Sequence, residues 1–587
     1  MANKTINDIV NHPNHIRMGT LKIPIGVKEF KSLVNEGYLF SDKTMLIGDI
    51  LDGGESNLLF TRPRRFGKTL VLSMLDRFFN IEYKEEETSD DTFKDLQISN
   101  HPQYAQWVDD GIKNGFPVIR LDMSVLEFTE SQSFQKTMKN YLRQLFLQRF
   151  AYLNSSDSLT DEQKQSLSFD ADDERGAGLL FQNICFSLKM HHGVNPIVLI
   201  DEYDDPVDGS ADYDDSTSFV KEYVQFLKSA LKGNPYISKT IVTGVQKIVV
   251  KGIFSSFNDL KHIGVTDLEF DGYFGIVTNE MRSFINQCLQ TRYQHLSPDV
   301  IESLTNEKFD LASKWFDGYH IGGKDVFNPW SAMHFLKKNI LNDNPVAPYW
   351  RDTAENNSLV SLFSHVDSSI LENVKESYIS GNRLALDDVN IAAPLWKKNG
   401  ELNENDIYSL LLSSGYLTSE YRDGKYVLTI PNLEVRMNFD ALMSRVYCIN
   451  IPKAIDLLGH IIKKDSESVR QDLEALMMGG SYLDGWGEYR YKSWLHDLFA
   501  LHGYVSITER ECGEGRADLL IENHGNNPAI IFEFKVESPD SDRSLDESMK
   551  EGLDQMRDNR CGDAPGMKNA ISLSVAFRKK SCSVGFL

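Results

Sequence analysis

The chain has 587 residues, of which 41% are hydrophobic, and its formal net charge is −23. This length predicts a multidomain protein, because single domains usually span about 100–200 residues. The strong negative charge excludes a protein that coats nucleic acid along its whole surface, since like charges repel, and any contact with DNA or RNA is expected to be local.

Several other protein classes are also disfavoured. No apolar run reaches about 18 residues, the length that crosses a bilayer, and the start "MANKTINDIVNHPNHIRMG" lacks the apolar core of a secretory signal. We therefore expect a cytoplasmic protein without a membrane segment. The six cysteines are scattered, with no CxxC pair, which predicts neither a disulfide framework nor a structural zinc site.

Short apolar runs alternate with amphipathic helical patterns through the first half of the chain. Four of these runs are predicted strands, at residues 57–63, 116–124, 196–204 and 239–246. Continuous apolar strands separated by helices are typical of a parallel sheet covered on both faces. We therefore predict an α/β domain over residues 1–285.

The stretch "FTRPRRFGKT" at residues 60–69 is close to a phosphate-binding loop. In such a loop backbone N–H groups wrap the phosphates, a lysine reaches them, and a Ser/Thr hydroxyl holds Mg²⁺ at a helix N-terminus. Gly67, Lys68 and Thr69 supply the end of this motif between a predicted strand and a predicted helix. The first glycine of the motif is replaced by Arg62, so the loop is expected to turn by other means.

Proline and arginine fill the middle of this loop. Pro63 fixes one φ angle, and Arg64 and Arg65 follow where phosphate oxygens are expected, so we predict that both arginines contact the nucleotide. Taken alone, "RRFGKT" is explained equally well as a basic turn before a helix. Further motifs are needed to distinguish a nucleotide-binding loop from a basic turn.

A second motif supports the nucleotide site. The run "PIVLIDEYDDP" ends an apolar strand with Asp201 and Glu202. In ATPases the aspartate of such a pair holds Mg²⁺ through water and the glutamate polarises the attacking water. The strand at 116–124 falls in sequence between the loop strand and this acidic strand, as in the ATPases that insert a strand between the two. Together the motifs predict a site for ATP and Mg²⁺.

The strand "TIVTGVQK" is expected to end at a polar residue that senses the γ-phosphate. Thr243 and Gln246 are the candidates, and Asn258 is a weaker one. Each of them is explained equally well as a polar residue that hydrogen-bonds locally at the end of a strand.

Beyond residue 285 the pattern changes. We predict a helical lid over residues 286–380 and a winged-helix-like unit over 381–445, in which a helix precedes a hairpin that turns at Asp423 and Gly424. Residues 446–587 are predicted to form a separate α/β module with the order helix, strand, strand, helix, strand.

The last module carries a candidate metal site. Asp518 lies on its first predicted strand and Glu533 and Lys535 on the next, where residues two apart face the same side. Two carboxylates bind Mg²⁺, and a neighbouring lysine orients or deprotonates the attacking water in phosphodiester hydrolysis. Glu488 on the preceding helix is a candidate further ligand, and Gln555 on the following helix is expected to line the same cleft. A surface ion pair is the alternative for the Glu-x-Lys pattern alone.

These motifs give the chain a resemblance to a known group. It resembles prokaryotic proteins in which an AAA-ATPase-like domain with an "RPRRFGKS/T" loop is fused to a C-terminal domain of the PD-(D/E)XK nuclease superfamily. The resemblance rests on "RPRRFGKT", "IDEYDDP", "TGVQKI", "KWFDGYHIG", "VFNPWS" and "RADLLI…IIFEFK". It implies that the missing first glycine is normal for the group. Ala517 stands before Asp518 where the superfamily often has proline.

The resemblance also implies which residues act. Lys68, Thr69, Asp201 and Glu202 would form the ATP site, and the nuclease motif would fall on four residues, Asp518, Glu533, Lys535 and Glu488. It suggests defence against, or processing of, foreign nucleic acid. The expected partner is nucleic acid, DNA more than RNA, together with a possible homo-oligomer. The first interpretation is therefore an ATP-regulated, Mg²⁺-dependent nuclease. The alternatives are an NTPase switch whose C-terminal domain binds nucleic acid or protein without cutting, and an interaction scaffold.

Overall fold

The computed structural model describes most of the chain in segments. They are residues 21–89, 91–126, 134–168, 175–208, 216–247, 260–350, 384–386, 404–439, 442, 453–478, 488–501, 506–512, 515–522, 528–538, 541–559 and 570–587. The chain divides into two compact units. The first comprises Met1–Asp352 and Arg383–Arg436, and the second comprises Thr353–Asn382 and Met437–Leu587. The domain boundaries predicted from the sequence stay predictions.

The first unit contains strands from three sheets. They are β1 (Asn57–Thr61), β2 (Val118–Asp122), β3 (Ile197–Asp201), β4 (Lys239–Gly244), β5 (Leu260–Ile263), β6 (Ile276–Val277), β7 (Tyr319–Ile321), β8 (Lys324–Phe327), β9 (Leu384–Leu386), β10 (Thr418–Arg422) and β11 (Lys425–Thr429). In the described part of the unit β1 to β5 form one parallel sheet in the order β2-β3-β4-β1-β5. The predicted parallel α/β sheet is thus confirmed.

The helices of the first unit follow the same chain order. They are α1 (Phe30–Asn35), α2 (Met45–Asp52), α3 (Lys68–Phe79), α4 (Lys84–Ser89), α5 (Tyr104–Asp109), α6 (Phe134–Leu145), α7 (Asp161–Ser166), α8 (Ala177–His192), α9 (Asp205–Asp208), α10 (Ser216–Leu231), α11 (Thr278–Arg292), α12 (Pro298–Phe316), α13 (Pro329–Phe335) and α14 (Glu404–Ser413). None of the helices in the described segments is long and apolar enough to cross a membrane.

Strand order explains how the site is built. All five positions of β3 are buried, as expected for a strand with helices on both faces. The strand that lies between β1 and β3 in the sheet is β4, whereas β2 lies on the far side of β3. Because parallel strands end at the same edge, the residues that follow β1, β3 and β4 meet there.

The region predicted as a helical lid has helices and also a small sheet, and both begin before residue 286, at β6 and α11. α11 and α12 pack with α13 around a core that includes Phe284, Leu304, Phe316 and Phe335. The described residues add the three-stranded antiparallel sheet β6-β8-β7, which the sequence did not predict. Its strands are two to four residues long, too short for an alternating pattern to stand out.

The predicted helix and hairpin follow. α14 precedes β10 and β11, which pair antiparallel, and β11 also pairs with β9. The turn falls at Asp423 and Gly424, both with positive φ, 51° and 83°. Two successive residues with positive φ are typical of the type I′ turn that suits tight hairpins.

The second unit is an α/β module. Its helices are α15 (Lys453–Ile462), α16 (Ser466–Met478), α17 (Glu488–Leu501) and α18 (Leu545–Asp558), and its strands are β12 (Ser506–Cys512), β13 (Gly515–Ile521), β14 (Ile530–Val536), β15 (Ile571–Arg578) and β16 (Ser581–Phe586). Their order in the described sheet is β12-β13-β14-β15-β16. Only β14 and β15 are parallel, and α18 connects them along the chain. The predicted elements are present, and α15, α16, β12 and β16 are additional.

Candidate functional sites

The candidate nucleotide loop joins β1 to α3. Two of its residues have positive φ, Arg65 at 66° and Gly67 at 86°, and an added Cβ at Gly67 would meet nothing within 4 Å. α3 begins directly after Gly67 and has twelve residues. The loop therefore presents an open glycine and a helix N-terminus together, as a phosphate cradle requires.

Arg62, which replaces the expected glycine, supports this loop from inside the protein. Its side chain is 0% exposed. Nη1 donates to the carbonyl oxygens of Thr61 (2.8 Å), Ile263 (2.9 Å) and Gly264 (2.8 Å), and the guanidinium lies 4.9 Å from the Phe274 ring centroid. Burial lowers the pKa of Arg62 to about 10, so it keeps its charge at neutral pH. Arg62 thus ties the end of β1 to the last residue of β5 and the residue that follows it.

Lys68 and Glu202 lie together at this edge of the sheet. Lys68 is only 3% exposed, and its Nζ lies 3.4 Å from Glu202 Oε1. The same ammonium donates to the carbonyl oxygens of Arg62 (3.3 Å) and Pro63 (3.4 Å). The structure therefore brings the predicted phosphate-binding lysine to the predicted catalytic glutamate, which follows β3.

Asp201 and Thr243 form the neighbouring pair. Thr243 Oγ1 donates to Asp201 Oδ1 at 2.7 Å, and the backbone N–H of Glu202 donates to the same oxygen at 3.1 Å. Both side chains are buried. Thr243 thus orients the predicted magnesium ligand, and its role as a γ-phosphate sensor stays a prediction.

Asp204 is a functional candidate that sequence reasoning missed. Its Oδ2 accepts from the backbone N–H groups of Val245 (2.9 Å) and Gln246 (2.8 Å), and Tyr203 Oη donates to the Gln246 carbonyl at 2.7 Å. Burial, and next the charge of Glu202, raise the pKa of Asp204 to about 7. Asp204 therefore ties the residues after β3 to those after β4. The repeated acidic letters of "DEYDDP" were the only signal for it in the sequence.

The other predicted sensor residues have different positions. The Gln246 side chain is buried next to this network. Asn258 lies outside the described residues. The role of Gln246 or Asn258 as a γ-phosphate sensor stays a prediction.

The loop arginines and Thr69 complete the predicted nucleotide ligands. Arg65 places its guanidinium 4.0 Å from the Trp330 ring centroid, and the Arg64 carbonyl accepts from Asn328 Nδ2 at 3.5 Å. Thr69 is the second residue of α3 and is partly exposed. Contacts of Arg64, Arg65 and Thr69 with a nucleotide stay predictions.

The rest of the loop also packs against later parts of the first unit. The Phe66 ring lies 5.0 Å from the Tyr319 ring, edge to face. Gly415 approaches Pro63 so closely that an added Cβ would lie 2.9 Å from Pro63 Cβ, and Tyr319 Oη donates to the Gly415 carbonyl at 3.0 Å. The nucleotide loop is thus held by the region after β6 as well as by the sheet.

The second site forms where two strands of the second unit separate. The described ladder between β13 and β14 runs from Ile521–Ile530 to Leu519–Phe532 and stops before Asp518. Asp518 Oδ2 then accepts from the backbone N–H of Phe534 at 2.7 Å. Asp518 therefore lies where the ladder between β13 and β14 ends, and its side chain reaches the backbone of β14.

Glu533 and Lys535 lie on the neighbouring strand as predicted. Glu533 is 3% exposed, and Lys535 Nζ donates to Glu533 Oε1 at 3.2 Å and to Gln555 Oε1 at 2.6 Å. On α18, Gly552 allows a close approach, because an added Cβ would lie 2.1 Å from Ser574 Oγ and 3.5 Å from Glu533 Cγ. α18 thus brings Gln555 to Lys535, and the shared cleft stays a prediction.

Glu488 and Lys492 lie one turn apart on α17. Glu488 is the first residue of the helix, and its side chain lies outside the described part. Lys492 Nζ lies 2.9 Å from Asp518 Oδ1. Sequence reasoning missed Lys492, because a lysine on an amphipathic helix is usually on the solvent face.

The donor set of the second site is small. Among the described residues no group of three or more His, Cys, Asp or Glu side chains is placed to hold a metal ion. Mg²⁺ is commonly bound by one or two carboxylates while it keeps several waters, so the carboxylates of Asp518, which is partly buried, and Glu533, which is buried, fit such an ion. At the first site the buried Asp201 carboxylate, with Thr69 beside Lys68, fits Mg²⁺ held together with a phosphate.

Comparisons with known proteins match one family model in each half of the chain. A family model described as predicted AAA-ATPase matches residues 24–254, and a PD-(D/E)XK nuclease superfamily model matches residues 486–586. A curated relative, an uncharacterized protein in the vnfD 5′ region of Azotobacter chroococcum mcd 1, is 22% identical over 539 residues, which are 88% of this chain and 90% of the relative.

Solved structures show weaker likeness. The Walker-type ATPase PABY2304 of Pyrococcus abyssi is 14% identical, with a TM-score of 0.33, over 69% of this chain and 96% of that one. Cdc6p from Pyrobaculum aerophilum is 8% identical, with a TM-score of 0.25, over 71% of this chain and 97% of that one. Both TM-scores are below 0.5, so neither structure supports an inference about activity. The two family matches, together with the parallel sheet of the first unit, show one chain that carries an AAA-ATPase-like region at residues 24–254 and a PD-(D/E)XK nuclease superfamily region at residues 486–586.

Proposed function

We propose that this protein binds and hydrolyses ATP and is an Mg²⁺-dependent nuclease that cleaves phosphodiester bonds in nucleic acid. The observation that carries the proposal is the grouping of Asp518, Glu533 and Lys535 where β13 and β14 separate. Membership of both domain families supports hydrolase activity in general.

In the first domain, different residues would bind ATP and hydrolyse it. The backbone of the loop before α3, with Gly67, and the Lys68 ammonium would bind the phosphates, while Thr69 and Asp201 would hold Mg²⁺. Thr243 keeps the Asp201 carboxylate oriented through its hydrogen bond. Glu202 would accept the proton of the attacking water. Bound Mg²⁺ would neutralise charge on the phosphates.

In the second domain Asp518 and Glu533 would bind the metal ion, with Glu488 as a further ligand. Lys535 is held beside Glu533 by that carboxylate and by Gln555, a position from which it can orient or deprotonate water. Bound Mg²⁺ would supply Lewis-acid polarisation of the phosphate and stabilise the leaving oxygen.

The finer points of the proposal rest on the family resemblance. We propose DNA rather than RNA as the substrate and defence against foreign nucleic acid as the biological role. The cytoplasm is the proposed location, and a homo-oligomer is the proposed assembly. The ATPase domain would regulate the nuclease domain.

The test is cleavage of plasmid, linear, single-stranded and RNA substrates with Mg²⁺, Mn²⁺ or EDTA, each with and without ATP. Asp518→Ala and Glu533→Ala should abolish cleavage because they remove metal-binding charge, and Lys535→Ala should leave metal binding intact while it slows cleavage. Asp554→Ala, which removes an exposed carboxylate from α18, is the matched control and should cut normally.

One further comparison tests regulation. Lys68→Ala should change cleavage only if the ATPase domain controls the nuclease domain. Wild-type protein that cuts no substrate under any of these conditions would overturn the nuclease assignment.

The charges of the second site favour one alternative. Asp518 and Glu533 each lie next to a lysine, Lys492 and Lys535 respectively, so these four side chains carry no net charge. A site of this kind suits a second candidate, an NTPase switch whose C-terminal domain binds nucleic acid or protein without cutting. Binding of nucleic acid without cleavage, across all metals and nucleotides, would support this candidate.

A further inference from the structure

Lys492 is a buried cation in the proposed nuclease site. It is 5% exposed, and its Nζ lies 2.9 Å from Asp518 Oδ1. A lysine ammonium is strongly hydrated in water, so a buried one needs a partner of opposite charge. Asp518 supplies that partner here.

Both oxygens of Asp518 have a hydrogen-bond donor. Oδ1 faces the Lys492 ammonium and Oδ2 accepts from the Phe534 backbone N–H. A metal ion that binds Asp518 through Oδ1 has to compete with Lys492 for that oxygen. The backbone donor on Oδ2 is fixed by β14 and cannot leave without disturbing the strand, whereas a lysine side chain can change rotamer.

The net charge of the side chains around Asp518 also opposes metal binding. Two carboxylates, Asp518 and Glu533, are balanced by two ammonium groups, Lys492 and Lys535. The affinity of an oxygen site for a divalent cation rises with the number of negative charges around it. The described site is therefore poor in net negative charge as long as Lys492 stays beside Asp518.

We propose that Lys492 is a positioning residue that holds Asp518 in the absence of a metal ion and lowers the metal affinity of the site, so that a divalent cation binds only by displacing the ammonium. This inference rests on the proposed metal-dependent function and names the group that regulates it. Removal of the lysine charge should tighten metal binding by about tenfold or more, since a like charge a few ångströms from a divalent cation opposes it strongly.

The experiment measures Mn²⁺ binding to the full chain without nucleotide, by the electron paramagnetic resonance signal of free Mn²⁺. The binding that is lost in Asp518→Ala defines the contribution of this site. Lys492→Met removes the charge at similar length, and Lys492→Arg keeps it. Lys550→Met, which removes an exposed lysine from α18, is the matched control for net charge.

We expect Lys492→Met to bind Mn²⁺ about tenfold or more tightly at the Asp518-dependent site. Lys492→Arg and Lys550→Met should stay within about threefold of wild type, a difference of less than 1 kcal/mol. Equal or weaker binding in Lys492→Met would overturn the inference. A general loss of structure cannot tighten binding at one site, so the expected result is not produced by misfolding.

Two further outcomes are decisive. Lys492→Gln serves as a second variant, and circular dichroism and thermal unfolding check the fold of both. If both variants are unfolded, Lys492 is needed for folding and cannot leave Asp518, which overturns the inference. If Lys492→Met binds Mn²⁺ more tightly but the wild-type protein never cuts nucleic acid, this inference stands and the nuclease assignment is refuted. If the wild-type protein cuts nucleic acid but Lys492→Met has unchanged Mn²⁺ affinity, the nuclease assignment stands and this inference is refuted.

Discussion

Restoring the glycine of the usual phosphate-binding loop should harm this protein. In most such loops the first position is glycine, whereas here Arg62 is buried and donates to three backbone carbonyls, including those of Ile263, the last residue of β5, and Gly264, the next residue. Arg62 is absent from the residues with positive φ, so no glycine is required for the backbone. We predict that Arg62→Gly destabilises the ATPase domain and does not improve ATP binding.

The structure sets the magnitude. Nη1 has two hydrogens, so we count two of its three hydrogen bonds to carbonyl oxygens. Arg62→Gly would leave two buried carbonyl oxygens without a donor, which costs about 2–6 kcal/mol. Glycine adds about 1 kcal/mol through the entropy of the unfolded chain. Against this, burial lowers the pKa of Arg62 from 12.5 to about 10, and at about 1.4 kcal/mol per pKa unit the loss of the buried charge returns about 3 kcal/mol. With the middle of the first range, about 4 kcal/mol, the net loss in the free energy of unfolding is about 2 kcal/mol.

Scanning calorimetry of the full chain measures this effect. For a domain of this size about 2 kcal/mol lowers Tm by about 4–8 °C, and the transition that shifts on addition of ATP identifies the ATPase domain. Arg64→Gly, in the same loop but partly exposed, is the control and should shift Tm by half as much or less. An Arg62→Gly protein that melts at or above the wild-type temperature and binds ATP more tightly would refute the reasoning.

Three further predictions concern the same site. Lys68→Ala should weaken ATP binding about 10- to 150-fold, the effect of losing one charge-assisted hydrogen bond, and equal affinities in calorimetry would contradict the assignment. Glu202→Gln should bind ATP within about threefold of wild type but hydrolyse it at least about 100-fold more slowly, because an amide cannot accept the proton; phosphate release at the wild-type rate would place the base elsewhere. The pKa of Asp204 is raised to about 7, above about 3.9 in the unfolded chain, so its contribution to stability is full at low pH and is lost as pH rises towards 7. Asp204→Asn should remove this pH dependence, so its free energy of unfolding should rise by about 2–3 kcal/mol relative to wild type between pH 5 and pH 8. Urea unfolding at the two pH values measures this difference. Equal pH dependence in both proteins would show that Asp204 ionises normally.

The parallel sheet was predictable because its central strands are buried on both faces. The runs predicted at 57–63 and 196–204 contain β1 and β3, which end at Thr61 and Asp201. Each prediction runs past its strand into the residues that form the site. β5 was missed because its sequence, Leu260–Ile263, has a lysine and a histidine at its centre and carries no continuous apolar signal.

The candidate sites were predictable to the extent that their residues are neighbours in sequence or fall on adjacent strands. Asp518 and Glu533 fall on strands that are consecutive in sequence, β13 and β14, so strand periodicity alone brings them together. Arg62 could not be interpreted, since its partners lie about 200 residues further along the chain. Lys492 has the same difficulty, because its burial depends on how α17 packs on the second sheet.

The stacking of Arg65 on Trp330, at 4.0 Å, gives the protein a built-in optical probe. An indole next to a guanidinium has an emission that depends on that contact, and Arg65 belongs to the loop that would enclose the phosphates. Any movement of the loop would therefore change the fluorescence of one tryptophan out of seven. The difference between the spectra of wild type and Trp330→Phe isolates that signal, so loop movement can be followed without attaching a dye.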